Sequence, residues 1–328
     1  MRVVIVGGTG NISGPIVDLL LEHGHDVTCL NRGVSDLLPR DVRLIKGDRH
    51  DREWYEKTMQ HENFDIALDM ICYTPDDAAS NIKAFRGVKQ YIHTSTVVTY
   101  GVEFEWMPVT EDHPLKPAIP YGEMKVAGDN LLLEAYYREG FPVTIIKPST
   151  TIGPKRVLCQ YGLGSAWIDR IRKGKPVLML GDGKAIHPFL FVEDAAKGYV
   201  GAIGKDHCIG QVYNLVNPNF TNWEDYYRTA MKVLGKEVDL VGVPIETLVA
   251  IDKDKFAMAK GIFALNLLYS TAKINRDIPE FRVTVSLAGG LKKTVEYLDE
   301  KGLLENSDDH SWEDRVIAAQ RLVSAITL

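Results

Sequence analysis

The chain opens with a β-branched apolar run that leads directly into a glycine-rich turn, and this combination restricts the fold more than any other feature. Residues 3–6 read VVIV, which is typical of a strand buried on both faces of a parallel sheet. The sequence GGTG follows at 7–10, and apolar residues then recur at helical spacing up to Leu21. A second strand is predicted at 27–30. Strand, turn, helix and strand together predict a βαβ unit.

The rest of the chain continues this alternation of predicted strands and helices. Further strands are predicted at 42–46, 65–70, 90–93, 143–147 and 212–216. The pattern predicts an α/β fold with a doubly wound parallel sheet of the Rossmann type and a smaller C-terminal α+β lobe.

Clusters of glycine and proline mark the predicted domain boundaries. We expect the Rossmann domain at 1–154 plus about 188–224, and a substrate-binding lobe at 155–187 plus about 225–328.

Composition and charge exclude several classes of protein. The 328 residues carry a net charge of −6, which argues against nucleic acid as the main partner, because phosphate binding needs a clustered basic surface. No apolar stretch approaches the roughly 20 residues of a membrane span, and the N-terminal run is too short for a signal peptide. We therefore expect a cytoplasmic protein without nucleic-acid or membrane partners.

The four cysteines give the same indication. Cys29, Cys72, Cys159 and Cys208 lie far apart, with no CxxC pair. This spacing favours free buried thiols in a reducing compartment over a disulfide framework or a zinc site, and no metal is expected.

The glycine turn predicts a binding site for a dinucleotide. Backbone N–H groups without neighbouring side chains can approach a pyrophosphate, and the N-terminus of the following helix adds partial positive charge. The candidate contacts are Gly7, Thr9, Gly10, Asn11 and Ile12. The alternative is a tight strand-to-helix turn with no ligand.

The residues that end the second strand bear on the choice of dinucleotide. An acidic side chain there binds the ribose 2′-hydroxyl of NAD, whereas an arginine accommodates the 2′-phosphate of NADP. This chain has Asn31 and Arg32, which favours NADP over NAD. The alternative is that Arg32 stacks on the adenine or faces solvent.

A tyrosine and a lysine four residues apart are the candidate catalytic pair. Tyr121 and Lys125 follow Pro120 at the predicted start of a helix, so they share one helix face. A phenol, whose pKa is ordinarily about 10, becomes a useful base when a nearby ammonium favours the phenolate. Thr96, in a Ser/Thr-rich strand end, can orient a substrate alcohol. The alternative is a surface tyrosine above a solvated lysine.

Several motifs across nearly the whole chain resemble the extended short-chain dehydrogenase/reductases of the NAD-dependent epimerase/dehydratase family. They are GGTGNIS at 7–13, GDR at 47–49, STVVTYG at 95–101, EDHPLKPAIPYGEMK at 111–125, KPSTTIGP at 147–154, GDGKAIHPFLFVEDAA at 181–196 and GGLKKTVEYL at 289–298. Ser13 stands where a third glycine is usual, and serine is small enough to be tolerated there.

The resemblance implies roles for these residues. Tyr121 would be the acid/base, Lys125 would bind the nicotinamide ribose, and Thr96 would hydrogen-bond the reacting hydroxyl. Pro148 would line the nicotinamide pocket. Asp48 and Arg49 of the GDR motif would contact the cofactor, Asp48 at the adenine amino group, although a helix cap is the alternative for Asp48. The resemblance also implies a homodimer.

Departures from the family pattern limit the reaction and the substrate. Family dehydratases carry an acidic pair at the end of the fifth strand, where this chain has Val97 and Val98, so dehydration is disfavoured. Reversible oxidation remains, as net dehydrogenation or as epimerisation. The candidate substrate contacts are Tyr73, Thr150 and His187, with core packing as the alternative for Tyr73 and His187. Hydroxyls and a histidine hold a diphosphate less firmly than arginine does.

Two classes of function therefore follow. The first is an NAD(P)-dependent oxidoreductase or epimerase acting on a sugar, sugar nucleotide or similar polyol. The alternative is a non-catalytic NAD(P)-binding regulatory or RNA-binding module of the same fold.

Overall fold

The computed structural model describes residues 1–33 and 42–326. Within these ranges the strands are β1 (Arg2–Val6), β2 (Asp26–Asn31), β3 (Arg43–Lys46), β4 (Ile66–Asp69), β5 (Gln90–Thr94), β6 (Val143–Pro148), β7 (Thr151–Ile152), β8 (Leu158–Cys159), β9 (Gly162–Leu163), β10 (Val177–Leu180), β11 (Leu190–Phe191), β12 (Val212–Leu215) and β13 (Leu240–Val243). The α-helices are α1 (Ser13–Glu22), α2 (Arg52–Glu62), α3 (Pro75–Ala84), α4 (Pro120–Glu139), α5 (Ala166–Lys173), α6 (Val192–Ala202), α7 (Trp223–Leu234), α8 (Ile245–Ile251), α9 (Ala272–Asp277), α10 (Leu287–Lys301) and α11 (Ser311–Ser324).

The chain forms two compact units. The first comprises Met1–Thr151, Val192–Asn217 and Tyr269–Thr284. The second comprises Ile152–Phe191, Pro218–Leu268 and Val285–Leu328.

A seven-stranded sheet in the order β12-β6-β5-β4-β1-β2-β3 is the centre of the first unit. All neighbouring strands are parallel. The chain runs outward from β1 through β2 and β3, and then returns to β4 on the other side of β1. The strand order therefore reverses between β1 and β4, where open α/β sheets bind their ligands. The predicted doubly wound Rossmann-type sheet is confirmed, and the predicted strands lie within a residue or two of the observed ones.

Side chains alternate between the two faces of this sheet. Val4 and Val6 pack in one core with Tyr91, Leu132 and other residues of α2, α3 and α4. The residues between them on β1 are equally buried and point to the opposite face, where α1 and α6 pack against one another. Burial on both faces explains why the N-terminal run is continuously apolar.

The second unit mixes helices and short strands, as the predicted α+β lobe requires. β10 and β13 pair in parallel, with Val177 opposite Leu240. Leu178, Phe256 and Ile317 share the core beside these strands, and α11 packs against β13.

A segment late in the chain belongs to the first unit. Residues 269–284 lie in the first unit, within the stretch of about 225–328 from which the sequence analysis builds most of the second lobe. Tyr269 forms a parallel bridge with Val109, and α9 packs against β12. Both contacts join segments that are distant in the sequence, and Tyr269 lies 160 residues after Val109, so no local pattern predicts them.

The cysteines behave as predicted. All four are free and buried, and burial raises the pKa of Cys29 and of Cys159 to about 12. Among residues 1–33 and 42–326, no group of three His, Cys, Asp or Glu side chains is placed to hold a metal ion. The same part of the chain contains no helix long and apolar enough to cross a membrane.

Candidate functional site

Close packing dictates glycine in the turn after β1. Gly7 has a φ of +87°, and a Cβ atom there would lie 2.8 Å from Cγ2 of Ile71. A Cβ atom on Gly8 would lie 2.3 Å from Sγ of Cys29. The turn is therefore pressed against both β2 and the segment after β4, and side chains cannot be accommodated at these two positions.

The side chain of Ser13 stabilises this turn through hydrogen bonds. Its hydroxyl donates to the carbonyl of Gly7 and accepts the N–H of Gly10, both at 2.7 Å. A glycine at position 13 could make neither bond. The departure from the family pattern therefore closes the turn with a side-chain hydrogen bond.

Polar groups around the turn fit an anionic, hydrogen-bonding cofactor. Both amide atoms of Asn11 and Nδ2 of Asn31 are buried without a hydrogen-bond partner in the described residues. Helix α1 begins after Ile12, with no side-chain cap and no acidic residue in its first turn. An uncapped helix N-terminus favours an anion, and buried amides favour a ligand that can hydrogen-bond them. Thr9 and Ile12 are half-buried beside these groups.

Asn31, Arg32 and Asp48 lie at the adjoining ends of β2 and β3. Arg32 is exposed, and the carbonyl of Asn31 accepts the N–H of Gly47 at 3.1 Å. The carboxylate of Asp48 accepts the backbone N–H of His50 at 2.9 Å, which together with the positive charges of His50 and Arg32 lowers its pKa. A cation and a carboxylate thus stand near one another where the ribose end of a dinucleotide is expected.

Arg49 occupies a different environment from its neighbour Asp48. Its side chain is only 3% exposed and pairs with the buried carboxylate of Asp69 at 2.7 Å. It also donates to the amide oxygen of Asn81 at 3.2 Å. The predicted cofactor contact through Arg49 is therefore not supported for its guanidinium, which is enclosed in the core of the first unit.

The tyrosine and lysine of α4 lie together as their spacing predicts. Nζ of Lys125 donates to the carbonyls of Cys72 and Thr94, at 2.5 and 2.7 Å. It also lies 5.9 Å from the ring centroid of Tyr121. Lys125 is 2% exposed, whereas Tyr121 is 42% exposed. A buried ammonium thus lies beneath a phenol that remains accessible.

Burial and charge act on Lys125 in opposite directions. Desolvation lowers its pKa, and the negative charges of Asp129 and Asp69 oppose that effect. The two carbonyl acceptors further favour the charged form, because they replace part of the lost hydration. The pKa of Lys125 is lowered on balance, and the carbonyls and carboxylates offset part of the desolvation.

The segment after β4 joins the glycine turn to the tyrosine–lysine pair. Ile71 packs on Gly7, and the carbonyl of Cys72 accepts from Lys125. The ring centroid of Tyr73, a half-exposed side chain, lies 5.0 Å from Nζ of Lys125 and 6.4 Å from the ring centroid of Tyr121. The glycine turn and the catalytic candidates therefore lie at the same edge of the sheet.

Thr96 follows β5 and begins a short 3₁₀ turn, Val97–Tyr100. Its hydroxyl accepts the N–H of Val98 at 3.3 Å and keeps its proton available for donation. Pro148 ends β6, where it is buried opposite Leu215 of β12, and Thr150 is half-buried two residues later. These residues all belong to the first unit.

His187 lies in the second unit and is surrounded by aromatic rings. Its ring centroid is 4.9 Å from those of Phe189 and Trp223 and 5.3 Å from that of Phe263. Complete burial lowers its pKa to about 3, so the imidazole is neutral near pH 7. This environment supports the packed-histidine alternative over the predicted substrate contact.

Sequence reasoning missed a buried polar network behind the pair. Asp129, on the same face of α4, accepts from the hydroxyl of Ser95 at 2.7 Å and lies 3.4 Å from Nζ of Lys147. His93 lies 3.2 Å from its other oxygen. The available signal was Asp129 itself, since it extends the spacing of Tyr121 and Lys125 by one more turn.

The Rossmann sheet, the glycine turn and the tyrosine–lysine pair define the extended short-chain dehydrogenase/reductase class of enzymes. The chain belongs to the NAD dependent epimerase/dehydratase family, whose family model matches residues 3–215. The sequence resemblance to this family is thereby confirmed.

Individual relatives differ in what they do. The chain is 26% identical over 257 residues to 2'-dehydrokanamycin reductase of Streptomyces kanamyceticus, covering 75% of this chain and 70% of the relative. It is 22% identical over 249 residues to chloroplast stem-loop binding protein of 41 kDa b of Arabidopsis thaliana, covering 71% of this chain and 63% of the relative.

A solved structure shows the same fold. The UDP-glucuronic acid 4-epimerase of Bacillus cereus, in complex with UDP-glucuronic acid and NAD, matches with a TM-score of 0.73 at 19% identity. The match covers 92% of this chain and 100% of that one.

Proposed function

We propose that the chain is an NAD(P)-dependent oxidoreductase or epimerase that acts on a secondary alcohol of a sugar, sugar nucleotide or similar polyol. The observation that carries the proposal is the buried ammonium of Lys125, held by two carbonyls beneath the accessible ring of Tyr121. The glycine turn lies at the same sheet edge, joined through Ile71.

Each residue of the site has a distinct role in this proposal. Tyr121 removes a proton from the substrate hydroxyl, or returns one to a carbonyl, and the charge of Lys125 stabilises the phenolate. Thr96 donates its hydroxyl to the reacting oxygen. The bound nicotinamide supplies or accepts the hydride.

The departure at Val97 and Val98 favours oxidation or epimerisation over dehydration. Val97 is buried and neither side chain can transfer a proton, so elimination of water has no acid or base at these positions. Thr150 and Tyr73 remain the candidate substrate contacts, and the second unit the candidate substrate lobe.

We propose NADP as the preferred cofactor, with NAD as the alternative. Exposed Arg32 supports NADP because a guanidinium pairs with a 2′-phosphate. The NAD bound to the B. cereus epimerase supports the alternative. Fluorescence titration with NADPH and NADH decides between them: Arg32→Ala should weaken only NADPH binding if the proposal holds.

The decisive test of the catalytic proposal is Tyr121→Phe. We expect turnover to fall by about two to four decades, the usual contribution of an acid/base group, while the Kd for the cofactor stays the same. The substrates tried are UDP-glucuronic acid and 2'-dehydrokanamycin, which the names of related proteins indicate. Nicotinamide absorbance measures net oxidation or reduction, and chromatography of the sugar product measures epimerisation, which returns the hydride and leaves the absorbance unchanged. Tyr137→Phe, an exposed tyrosine on α4, is the matched control. Unchanged turnover would remove Tyr121 from the mechanism.

Nucleic-acid binding is the second candidate, favoured by the similarity to the stem-loop binding protein. A mobility-shift assay with stem-loop RNA at increasing salt tests it, since phosphate contacts weaken steeply with salt.

We also propose a homodimer, as the family resemblance implies, and light scattering of the purified protein tests that assembly.

A further inference from the structure

We infer that Thr99 is a positioning residue, whose hydroxyl holds the backbone of Thr96 so that the Thr96 hydroxyl meets the reacting oxygen of the substrate. The inference rests on the proposed function, in which Thr96 donates to that oxygen. It also gives a role to Asp129 and Lys147, two buried charged residues that the proposed reaction does not use directly.

The short turn that follows Thr96 is weakly stabilised by its backbone alone. Residues 97–99 read VVT, and β-branched side chains slightly disfavour a helical backbone. The 3₁₀ geometry of Val97–Tyr100 also gives poorer hydrogen bonds than an α-helix does. The N–H of Thr99 lies 3.3 Å from the carbonyl oxygen of Thr96, which is a long hydrogen bond. Side-chain bonds therefore contribute to fixing where this turn begins.

The hydroxyl of Thr99 supplies such a bond. It donates to the carbonyl of Thr96 at 2.8 Å and accepts from Nζ of Lys147 at 2.9 Å. An ammonium can only donate and a carbonyl can only accept, so the direction of both bonds is fixed. A charged donor also strengthens the next hydrogen bond in a chain. The proton of the Thr99 hydroxyl is thus directed at the backbone of Thr96.

Asp129 connects this chain of hydrogen bonds to α4, the helix that carries the tyrosine–lysine pair. Its carboxylate lies 3.4 Å from Nζ of Lys147 and accepts at 2.7 Å from the hydroxyl of Ser95, the residue before Thr96. Asp129 and Lys147 are each only 2% exposed. A buried ion pair seldom adds stability over apolar packing, but it can fix one geometry. The pair therefore sets the position of Thr96 relative to α4.

Thr99→Val tests the inference, because valine keeps the shape of threonine and removes the hydroxyl. Misplacement of the Thr96 hydroxyl should lower kcat about tenfold. KM and the Kd for NADPH or NADH should change less than about twofold, because the contact acts on the reacting oxygen in the transition state. The substrates are UDP-glucuronic acid and 2'-dehydrokanamycin. Thr99→Ser keeps the hydroxyl and should behave as the wild type does.

Thr144→Val is the matched control. Thr144 is fully buried on β6, and its hydroxyl accepts from Gln90 at 2.9 Å and donates to the carbonyl of Cys208 at 2.8 Å. The same substitution there removes two hydrogen bonds of the same lengths, so both variants should unfold at a lower temperature than the wild type. Only Thr99→Val should lose turnover. An equal loss of kcat in both variants would indicate general destabilisation and overturn the inference.

Hydrogen exchange measured by mass spectrometry tests the same contact without a substrate. The N–H of Val98 donates to the hydroxyl of Thr96 at 3.3 Å, and that of Gly101 donates to the carbonyl of Val98 at 3.1 Å. In Thr99→Val we expect these two amides to exchange about tenfold faster than in the wild type, because the turn opens more often. Thr144→Val should leave them protected. Unchanged exchange in Thr99→Val overturns the inference.

The outcomes separate the inference from the proposed function. Wild-type protein that binds no cofactor and turns over neither compound overturns the proposed function, and hydrogen exchange still decides whether Thr99 holds the turn. Turnover by the wild type with kcat unchanged in Thr99→Val overturns the inference alone. A kcat as low in Thr99→Ser as in Thr99→Val also overturns it, because the hydroxyl would then not be responsible.

Discussion

Lys125 in the first unit and His187 in the second are both almost completely buried, yet their surroundings treat charge in opposite ways. Two carbonyls accept hydrogen bonds from Lys125, and Asp129 and Asp69 attract its charge. His187 packs among Phe189, Trp223 and Phe263, and burial lowers its pKa to about 3. The groups around Lys125 offset part of the desolvation of its charge, whereas the aromatic rings around His187 favour the neutral imidazole.

This difference between the surroundings of Lys125 and His187 shows that burial of a titratable side chain is by itself weak evidence of function. What distinguishes Lys125 is that acceptors replace its hydration and that the phenol of Tyr121 above it remains accessible. His187, neutral and enclosed by aromatic rings, fits a position in the core.

The largest expected effect comes from breaking the first environment. Lys125→Met keeps the aliphatic stem but removes the charge that stabilises the phenolate of Tyr121. We expect turnover to fall by about two to four decades, or about 3–5 kcal/mol of transition-state stabilisation. Steady-state kinetics on the substrate identified for the wild type measures it. Lys57→Met, a surface lysine paired with Glu53, is the control, and full activity in Lys125→Met would contradict the assigned role.

Breaking the network behind the lysine should reduce stability. Asp129→Asn leaves Lys147 buried without a carboxylate partner, and we expect the free energy of unfolding to fall by about 3–5 kcal/mol. Urea unfolding at pH 7 measures it, with Asp76→Asn on the exposed face of α3 as the control. Adding Lys147→Met should recover part of the loss, and an effect below about 1 kcal/mol would show that the pair is not coupled.

The apolar environment of His187 predicts sensitivity to acid. Because its folded pKa of about 3 is below the unfolded 6.5, the unfolded chain binds the proton more readily. Stability is therefore fully present above pH 6.5 and decreases towards pH 3, by about 2–3 kcal/mol at pH 4.5. His187→Phe should remove that decrease, measured as the change in unfolding free energy between pH 7 and 4.5. The exposed His61→Phe should retain it, and an unaltered acid loss in His187→Phe would place its origin elsewhere.

The smallest expected effect concerns the ring that flanks the lysine. Tyr73→Ala removes a cation–π contact with Lys125 and an accessible aromatic surface, so we expect KM to rise about fivefold with little change in kcat. Tyr73→Phe keeps the ring and should behave as the wild type does. A loss of kcat in Tyr73→Phe would instead indicate that the hydroxyl takes part in the reaction.

The first unit was more predictable from sequence than the second. Parallel strands buried on both faces leave continuous apolar runs, and the segment at 3–6 displays one clearly. The second unit relies on short strands and on contacts such as that of Tyr161 with Glu313, 152 residues away. Patterns of a few residues cannot report such contacts.

The site shows the same division. The sequence alone determined the glycine turn, and it determined that Tyr121 and Lys125 share a helix face, because helical periodicity and backbone sterics act over a few residues. Only the tertiary structure decided that Cys72 and Thr94 supply the acceptors for Lys125, and that Arg49 turns inward to Asp69. Those partners come from distant segments, and packing of the whole sheet brings them into contact.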